Sequence, residues 1–364
     1  MGSLRIAIVV GTRPQIIKSA PVIQEAIRRN LELDIIHTGQ HYDYELSQIF
    51  IKEFNLPKPT VDLNVGSGSH VYQIKEIMLR LEKYLLESKP SIVMIPGDTN
   101  SALAGALTAV KLDLSVAHIE AGARCYDMHM TEEINRRLID HCSEILFTPT
   151  ENCKANLERE SVLGSICQVG DTMYDVFLRF RSHADKSDIF SKLELSDKEY
   201  GLLTLHRAEN VDNAERLKSI FKGVTGSSIR IVFPIHPRTK NRLGESNISL
   251  EGTNVKVVEP VGYIEMLKLL KHAKMIITDS GGLQKEAFWS KTPCITLRDR
   301  TEWVETVSAG VNFLVGTESD KIVQAINLVE KEYDVIKERF TGNPFGDGRA
   351  SERIINVTLN RLEI

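Results

Sequence analysis

Short segments that are apolar throughout alternate with amphipathic segments along this chain, and that alternation restricts the fold more than any other feature. Runs that are apolar at every position are typical of parallel strands that helices cover on both faces. We predict strands at residues 5–10, 33–38, 92–95, 115–119, 145–148, 166–169, 200–205, 230–234, 255–258, 275–278 and 294–297. We predict helices at residues 16–29, 44–54, 72–87, 101–112, 132–142, 152–160, 214–223, 263–271, 283–289 and 319–333. The expected class is α/β, with doubly wound parallel sheets.

The length of the chain predicts more than one domain. A chain of 364 residues exceeds what one hydrophobic core usually holds, so two domains are expected. A polar stretch at residues 179–198 interrupts the alternation near mid-chain. We therefore expect two Rossmann-like halves joined near this stretch. The ligand is expected in a cleft between them, because open α/β sheets bind ligands at the carboxyl ends of their strands.

Composition argues against several classes of partner. The formal net charge is −4, from 45 basic and 49 acidic residues, which leaves no basic field to attract nucleic acid. No apolar run approaches the ~18 residues that a membrane-spanning helix needs. The first residues enter a predicted strand at once, without a cleavage site. The five cysteines are scattered without metal-ligand spacing, so we interpret them as reduced thiols of a cytoplasmic protein that binds no metal.

The segment M-I-I-T-D-S-G-G-L-Q-K-E, residues 275–286, predicts a binding site for a phosphate or diphosphate. It indicates a buried strand, a sharp turn at Ser280, Gly281 and Gly282, and then a helix. Such a turn presents free backbone N–H groups at the positive end of a helix dipole. Glu286, about one turn into the helix, could accept hydrogen bonds from the hydroxyl pair of a ribose. The competing interpretation is an ordinary N-capped helix.

The first predicted strand leads into G-T-R-P-Q-I-I-K, residues 11–18. Pro14 is favoured at the start of a helix, and Arg13 and Lys18 then both follow the carboxyl end of the strand. These two cations could bind an anionic ligand, although ordinary surface cations remain the alternative. The dinucleotide fingerprint G-x-G-x-x-G is absent from the sequence.

Acidic residues follow further strands of the first half. Asp98 follows the strand at 92–95, Glu120 follows the strand at 115–119, and Glu132 opens a helix in which Arg136 lies one turn on. Each carboxylate alone could be a helix cap or a solvated charge. Carboxylates crowded in one cleft raise each other's pKa, which suits an acid or base that works near neutral pH.

In the second half, strand ends carry imidazoles. His206 and Arg207 follow the strand at 200–205, and His236 follows the strand at 230–234. His206 could move a proton near neutral pH, and a structural histidine bonded to the backbone is the alternative.

The motifs G-T-R-P-Q-I-I-K, P-G-D-T-N-S, H-I-E-A-G-A-R, E-E-I-N-R, L-H-R-A-E-N, D-S-G-G-L-Q-K-E and N-P-F-G-D-G occur in this order over nearly the whole chain. Together they resemble the non-hydrolysing UDP-N-acetylglucosamine 2-epimerases. The resemblance implies a GT-B type fold of two Rossmann-like domains with an interdomain cleft. The implied domains are residues 1–175 and the UDP-binding residues 176–345, followed by a helix within 346–364 that returns to the first domain.

The resemblance also implies roles for individual residues. The implied catalytic residues are Asp98, Glu120, Glu132 and His206. The implied contacts to substrate and UDP are Arg13, Lys18, Arg136, His236, Val261, Met266, Ser280, Gly281, Gly282 and Glu286. Gln40 and His41 correspond to a loop that binds a second, regulatory nucleotide sugar in bacterial relatives. The resemblance further implies a homodimer that acts in polysaccharide biosynthesis and uses no cofactor. The implied reaction eliminates UDP from the nucleotide sugar, which gives a 2-acetamidoglucal, and then adds UDP back.

The chain departs from the family pattern at three places, which leaves the sugar open. Lys285 stands where a second glutamate is common, and Thr131 stands where a proline is usual. Trp303 and Val304 replace arginine and proline, so Arg298 or Arg300 would have to compensate. Trp303 resembles the 2-epimerases of UDP-2,3-diacetamido-glucuronate. Further alternatives are a hydrolysing relative that releases UDP and N-acetylmannosamine, a glycosyltransferase, and a catalytically silent nucleotide-sugar sensor.

Overall fold

The structure, a computed structural model, describes residues 4–40 and 53–362. The chain divides into two compact units. The first unit comprises Met1–Leu178 and Pro344–Ile364, and the second comprises Arg179–Asn343.

Each unit is built on one parallel sheet within the part of the chain that the structure describes. The strands of the first sheet are β1 Arg5–Val10, β2 Glu32–His37, β3 Val61–Asp62, β4 Ile92–Pro96, β5 Ser115–Ile119, β6 Ile145–Thr148 and β7 Ser165–Gln168. The strands of the second sheet are β8 Tyr200–Thr204, β9 Arg230–Pro234, β10 Val255–Val258, β11 Met275–Thr278, β12 Cys294–Thr296 and β13 Asn312–Leu314. Their orders are β3-β2-β1-β4-β5-β6-β7 and β10-β9-β8-β11-β12-β13. Both are doubly wound orders, so the α/β prediction is confirmed.

The strands alternate with helices along the chain, as the right-handed crossovers of parallel sheets require. The helices of the described residues are α1 Arg13–Arg28, α2 His70–Ser88, α3 Asn100–Lys111, α4 Thr131–Cys142, α5 Glu151–Arg159, α6 Thr172–Ala184, α7 Ile189–Leu193, α8 Ala208–Val211, α9 Ala214–Thr225, α10 Pro237–Glu245, α11 Tyr263–His272, α12 Gly281–Trp289, α13 Val304–Ser308, α14 Ser319–Lys331, α15 Tyr333–Glu338 and α16 Ala350–Arg361. No helix in these ranges combines the length and apolarity of a bilayer span.

The central strands are buried on both faces, which explains their continuous apolar sequences. Every residue of β4 and of β8 is buried. In the first unit, Ile77 and Leu81 of α2 pack with Val93 and Ile95 of β4 in one apolar cluster. Burying such side chains stabilises the fold by about 1.5–3 kcal/mol each. The carboxyl ends of the central strands are therefore held on a rigid base.

All the predicted strands are present, with bounds that differ by at most one residue. The prediction missed β3 and β13, which are the outermost strand of the first and of the second sheet respectively. Runs of two and three residues are too short to show a periodic signal.

The helix predictions need more correction. The single helix predicted at 319–333 is wrong, because a non-helical backbone at Glu332 (φ −109°, ψ 20°) separates α14 from α15. The polar stretch at 179–198 contains the end of α6 and all of α7, which the prediction missed. Buried Val176, Phe177 and Phe180 give α6 an apolar face, although its last residues are mostly polar. The helix predicted at 44–54 lies almost entirely outside the described residues.

Candidate active site

Both sheets have a topological switch point, and the predicted site residues follow the strands that flank it. In the first sheet the switch point lies between β1 and β4, and in the second it lies between β8 and β11. Crossover connections leave in opposite directions there, so the carboxyl ends of the two strands leave a crevice for a ligand. Arg13 and Asp98 follow β1 and β4, and His206 and Ser280 follow β8 and β11.

The first-unit cluster, defined as Lys18, Asp98, Glu120, Glu132 and Arg136, contains a close ion pair. The Nζ atom of Lys18 on α1 lies 2.8 Å from Oε1 of Glu120, and both side chains are about nine-tenths buried. Glu120 has a φ of +73°, in the left-handed region that residues other than glycine rarely occupy. Such a backbone costs about 1–3 kcal/mol and is found disproportionately at functional sites.

Asp98 lies beside α4, which contacts both its backbone and its carboxylate. Nη2 of Arg136 lies 3.3 Å from Oδ2 of Asp98. The Nδ2 atom of Asn135 donates a 2.9 Å hydrogen bond to the Asp98 carbonyl oxygen. Arg136 also donates from Nε to the carbonyl oxygen of Glu132, at 3.0 Å. Helix α4 therefore brings Glu132 and a guanidinium to the turn that carries Asp98.

The protein environment raises the pKa of Asp98. The main cause is loss of water around the carboxyl group, of which about a quarter of the surface remains exposed. The charges of Arg136 and Lys18 lower the pKa, and those of Glu132 and Glu120 raise it again. Asp98 thus takes up a proton more readily than a solvated aspartate, as an acid or base near neutral pH should.

The second-unit cluster, defined as His206, Asp279, Ser280, Gly281 and Gly282, is organised by Asp279. This buried carboxylate accepts hydrogen bonds from the backbone N–H groups of His206 at 3.2 Å and Arg207 at 2.9 Å. Nδ1 of His206 lies 3.4 Å from Oδ1 of Asp279, while nearly half of the imidazole side chain remains exposed. Asp279 therefore fixes the His206 turn to the end of β11 and leaves the ring accessible.

The turn before α12 has the features of an anion site. Ser280 caps the helix, since its Oγ accepts a 3.4 Å hydrogen bond from the Leu283 amide. A Cβ placed on Gly281 would lie 3.4 Å from Nε1 of Trp303, so glycine leaves open the space in front of the turn. The N–H groups of the first helical turn and the helix dipole favour an anion there. Glu286, at 4% exposure, is buried one turn further on.

The residues at the three expected departures from the family pattern occupy defined environments. Lys285 and Trp303 are buried against each other, with the ammonium 4.1 Å from the ring centroid. Arg298 is also buried and forms two contacts with Glu302, at 2.8 and 3.1 Å. Thr131 is the first residue of α4.

The remaining predicted contacts lie in several places. Arg13 and His236 are exposed, and His236 caps α10 by accepting a 3.2 Å hydrogen bond from the Arg238 amide. Val261 and Met266 are half-buried against the second apolar core. Gln40 is buried, and its Oε1 accepts hydrogen bonds from the amide and hydroxyl of Ser101. His41 lies outside the described residues.

Sequence reasoning missed the residues that hold these groups in place. Asn135 and Asp279 lie next to motif residues, yet their partners are 37 and 73 positions away in the chain. The one available signal was their position inside E-E-I-N-R and D-S-G-G. Across the described ranges, no three His, Cys, Asp or Glu side chains are grouped to share a metal ion.

The chain is similar to known proteins over most of its length. Residues 25–359 match the sequence profile of UDP-N-acetylglucosamine 2-epimerase. A UDP-N-acetylglucosamine 2-epimerase of Methanocaldococcus jannaschii is 47% identical, over 97% of this chain and 98% of the relative. A UDP-2,3-diacetamido-2,3-dideoxy-D-glucuronate 2-epimerase of Pseudomonas aeruginosa is 42% identical, over 96% of this chain and 98% of the relative.

A solved structure extends the likeness to three dimensions. The crystal structure of the Methanocaldococcus jannaschii UDP-GlcNAc 2-epimerase, in complex with UDP-GlcNAc and UDP, superposes with a TM-score of 0.92 at 46% identity. The match covers 98% of this chain and 100% of that chain. With the profile match over most of its length, the chain belongs to the UDP-N-acetylglucosamine 2-epimerase family of isomerases.

Proposed function

We propose that the protein interconverts UDP-N-acetylglucosamine and UDP-N-acetylmannosamine by eliminating UDP and adding it back. The observation that carries this proposal is the first-unit cluster, where Asp98, Glu120 and Glu132 gather with two cations in a chain of this family. Inverting C2 requires a group that removes a proton from one face of the sugar and a group that returns a proton to the other. A cluster of carboxylates at one sheet edge can supply both.

The elimination step moves one proton and one leaving group. A carboxylate of the cluster takes the C2 proton, the electrons of the C–H bond form a C1=C2 double bond, and the C1–O bond to UDP breaks. The products are a 2-acetamidoglucal and UDP. Re-addition of UDP at C1, with proton delivery to the opposite face of C2, completes the epimerisation. Electrons return to where they began, so the net reaction involves no oxidation or reduction.

The departing diphosphate needs electrostatic support, because the C2 proton is only weakly acidic. We assign this role to the second-unit cluster: His206, whose imidazole is accessible, and the amides of Ser280, Gly281 and Gly282 at the start of α12. Arg13 and Lys18 supply positive charge from the first unit. Glu286 holds the ribose, and His236, Val261 and Met266 contact the nucleotide. The proposal requires that one substrate molecule reaches both clusters.

A second candidate substrate is UDP-2,3-diacetamido-glucuronate. Its support is the 42% identity to the Pseudomonas aeruginosa 2-epimerase of that sugar, which is lower than the 47% identity to the Methanocaldococcus jannaschii enzyme, and the resemblance of Trp303 to that group of enzymes. The chemistry at C1 and C2 would be the same. A parallel assay with both nucleotide sugars distinguishes the two, since the natural substrate should have at least a tenfold higher kcat/KM, or ~1.4 kcal/mol.

Solvent exchange tests the proposed reaction. In deuterated water, UDP-N-acetylglucosamine should gain deuterium at C2 and form UDP-N-acetylmannosamine without free UDP. Stoichiometric free UDP would instead show the hydrolysing reaction, and UDP binding without exchange would show a nucleotide-sugar sensor.

Substitutions test the residue roles. Asp98→Asn and Glu120→Gln should abolish exchange while UDP affinity stays within about tenfold of wild type, or ~1.4 kcal/mol. Asp113→Asn is a matched control, because Asp113 is exposed and asparagine tolerates its φ of +56°. Equal losses of binding and exchange in the Asp98 and Glu120 variants would make those residues structural.

Two further proposals concern assembly and regulation. We propose a homodimer, which light scattering of the purified protein tests directly. We also propose that Gln40 and His41 belong to the wall of a second nucleotide-sugar site. In this chain the Gln40 side chain accepts a 2.6 Å hydrogen bond from the Ser101 hydroxyl, and its carbonyl oxygen accepts a 3.0 Å hydrogen bond from Nε2 of Gln73. We therefore expect Gln40 to hold the wall of the site in shape, and Gln40→Ala to disturb it. Sigmoidal dependence of rate on UDP-N-acetylglucosamine, lost in Gln40→Ala, would support the second site.

A further inference from the structure

Asp140, near the end of α4, is a fully buried carboxylate with three partners that have no place in the proposed reaction. Its Oδ1 lies 2.6 Å from Nδ1 of His118. Its Oδ2 lies 2.7 Å from Nη2 of Arg124 and accepts a 3.2 Å hydrogen bond from the Gly122 amide. A carboxylate accepts hydrogen bonds and has two oxygens, so it can hold separate chain segments at once.

Oδ1 of Asp140 is connected through His118 to the turn that carries Asp98. His118, on β5, contacts Asp140 with Nδ1 and the carbonyl oxygen of Gly97 with Nε2, at 2.9 Å. The Gly97 carbonyl oxygen can only accept, so Nε2 of His118 donates to it, while Nδ1 faces the Asp140 carboxylate. Gly97 directly precedes Asp98 and has a φ of +70°. The bond from His118 therefore fixes the backbone from which the Asp98 side chain projects.

Oδ2 of Asp140 is bonded directly to the turn that carries Glu120. The Gly122 amide, bound by Asp140, lies two residues after Glu120. Because Glu120 has a left-handed backbone, its turn is held there only by such surrounding contacts. Asp140 thus reaches the Asp98 turn through His118 and the Glu120 turn directly.

Arg124 joins Asp140 to a second carboxylate. It also binds Glu160 through two hydrogen bonds, at 3.0 and 2.7 Å, so its guanidinium lies between two carboxylates. Burial opposes ionisation of Asp140, but His118 and Arg124 outweigh it and lower the pKa of this carboxyl. Asp140 therefore stays charged, which makes its hydrogen bonds strong and directional.

We infer that Asp140 is a positioning residue, which sets the turns of Asp98 and Glu120 relative to each other so that both carboxylates can act on C2. This inference rests on the proposed function. Helix α4 would then align the carboxylates of the first-unit cluster at two places along the helix. Asn135 and Arg136 act near the start of the helix, and Asp140 acts near its end. Displacements of about 1 Å in such a constellation cost on the order of a hundredfold in rate.

The test compares Asp140→Ala with Asp175→Ala. Asp140→Ala leaves Arg124 paired with Glu160 and leaves His118 bonded to the Gly97 carbonyl oxygen, so the protein should fold. Asp175 is the matched control: it is a buried aspartate of the first unit that accepts hydrogen bonds from the Ala350 amide and from the amide and hydroxyl of Ser351. Both substitutions remove a buried carboxylate with three polar contacts, and of the two residues only Asp140 connects to the first-unit cluster.

We expect Asp140→Ala to lower kcat for C2 exchange by ten- to a hundredfold, with KM and UDP affinity within threefold of wild type. Asp175→Ala should lower the thermal midpoint yet keep kcat per folded molecule within threefold. His118→Asn should lower kcat as Asp140→Ala does, and the double variant should lose no more than the single ones, because the residues act as one unit.

Three outcomes distinguish the possibilities. If the wild type is active and Asp140→Ala has the same kcat, the positioning inference is wrong and the proposed reaction is unaffected. Equal losses of kcat in the Asp140 and Asp175 variants overturn it as well, since general loosening would then explain both. A wild type without exchange on either nucleotide sugar overturns the proposed function itself. If Asp140→Ala fails to fold, the kcat and KM of His118→Asn decide the question by the same criteria.

Discussion

The ammonium group of Lys285 lies 4.1 Å from the centroid of the Trp303 indole ring, and both side chains are at least 97% buried. Both residues are among the three departures from the family pattern that we expect from the sequence. Their contact places the two residues side by side, and Trp303 also lies next to the Gly281 turn. A buried lysine needs such a partner, since an unpaired ammonium in the interior is costly.

A double-mutant cycle should measure that coupling. Lys285→Met removes the charge at similar length, and Trp303→Leu removes the aromatic face. We expect each single variant to lower the free energy of unfolding, and the pair to show a coupling of about 1–2 kcal/mol, as for desolvated cation–π contacts. Chemical denaturation of the four proteins gives the value.

The control for this cycle is the wider contact of Lys337 with Tyr333, where the ammonium lies 5.8 Å from the ring centroid on a less buried surface. Its coupling should stay below about 0.5 kcal/mol. Additive effects of the Lys285 and Trp303 substitutions would show that the two departures are independent.

The contact between Lys285 and Trp303 is also a feature that could not be predicted from the sequence. The strands that carry the clusters were predictable, because β1, β4, β8 and β11 are continuous buried runs and their ends carry the motifs. The motif residues could be placed at the correct edge of each sheet for the same reason. Residues such as Lys285 and Trp303 could only be noted as unusual, since their contact joins α12 to the segment before α13 and no local pattern encodes it.

A pH profile should show the influence of Arg136 on Asp98. Burial raises the pKa of Asp98, and the guanidinium of Arg136, at 3.3 Å, holds it down. If Arg136 is replaced by methionine, the pKa of Asp98 should rise further. We expect the ionised carboxylate to remove the C2 proton, so activity falls as the pH drops through this pKa. The acid limb of kcat/KM should therefore move to higher pH in the variant.

Arg137→Met is the matched control for this profile. Arg137 is the next residue of α4 and pairs with Glu133 and Glu160, at 3.3 and 3.5 Å. Its removal should leave the acid limb in place. A limb that does not move in Arg136→Met, or that moves equally in both variants, would contradict the assignment of that limb to Asp98.

The Gly281 turn allows a test of anion binding that spares the fold. A methyl group at Gly281 would make only ordinary contact with Trp303, at 3.4 Å, and the residue lies in the first turn of α12. Gly281→Ala should therefore fold with nearly unchanged stability. Its methyl group would occupy the approach to the helix amides, so UDP affinity should fall at least tenfold, or ~1.4 kcal/mol.

Gly244→Ala is the control for Gly281→Ala. Gly244 lies in α10 with open space around it, so alanine should stabilise the helix by about 0.5–1 kcal/mol without changing UDP binding. Calorimetric titration with UDP measures both variants. Unchanged UDP affinity in Gly281→Ala would remove the α12 turn from the proposed diphosphate site.

The second unit uses a buried aspartate in the way that the first unit uses Asp140. Asp279 holds the amides of His206 and Arg207, which are 73 and 72 positions away in sequence, so the pairing could not be predicted from a motif. Asp279→Asn keeps the size of the side chain but turns one acceptor into a donor that faces N–H groups. The free energy of unfolding should fall by about 1–3 kcal/mol.

We expect Asp279→Asn to displace the turn from which the His206 imidazole projects. The kcat should therefore fall at least tenfold, and KM should change by a smaller factor. Asp171→Asn is the control: Asp171 is a buried aspartate of the first unit whose carboxylate accepts a 2.8 Å hydrogen bond from the Met173 amide. This variant should lose stability without a selective loss of kcat. If Asp279→Asn lost stability alone, His206 would not depend on this carboxylate for its position, and its assignment beside the leaving diphosphate would lose its structural basis.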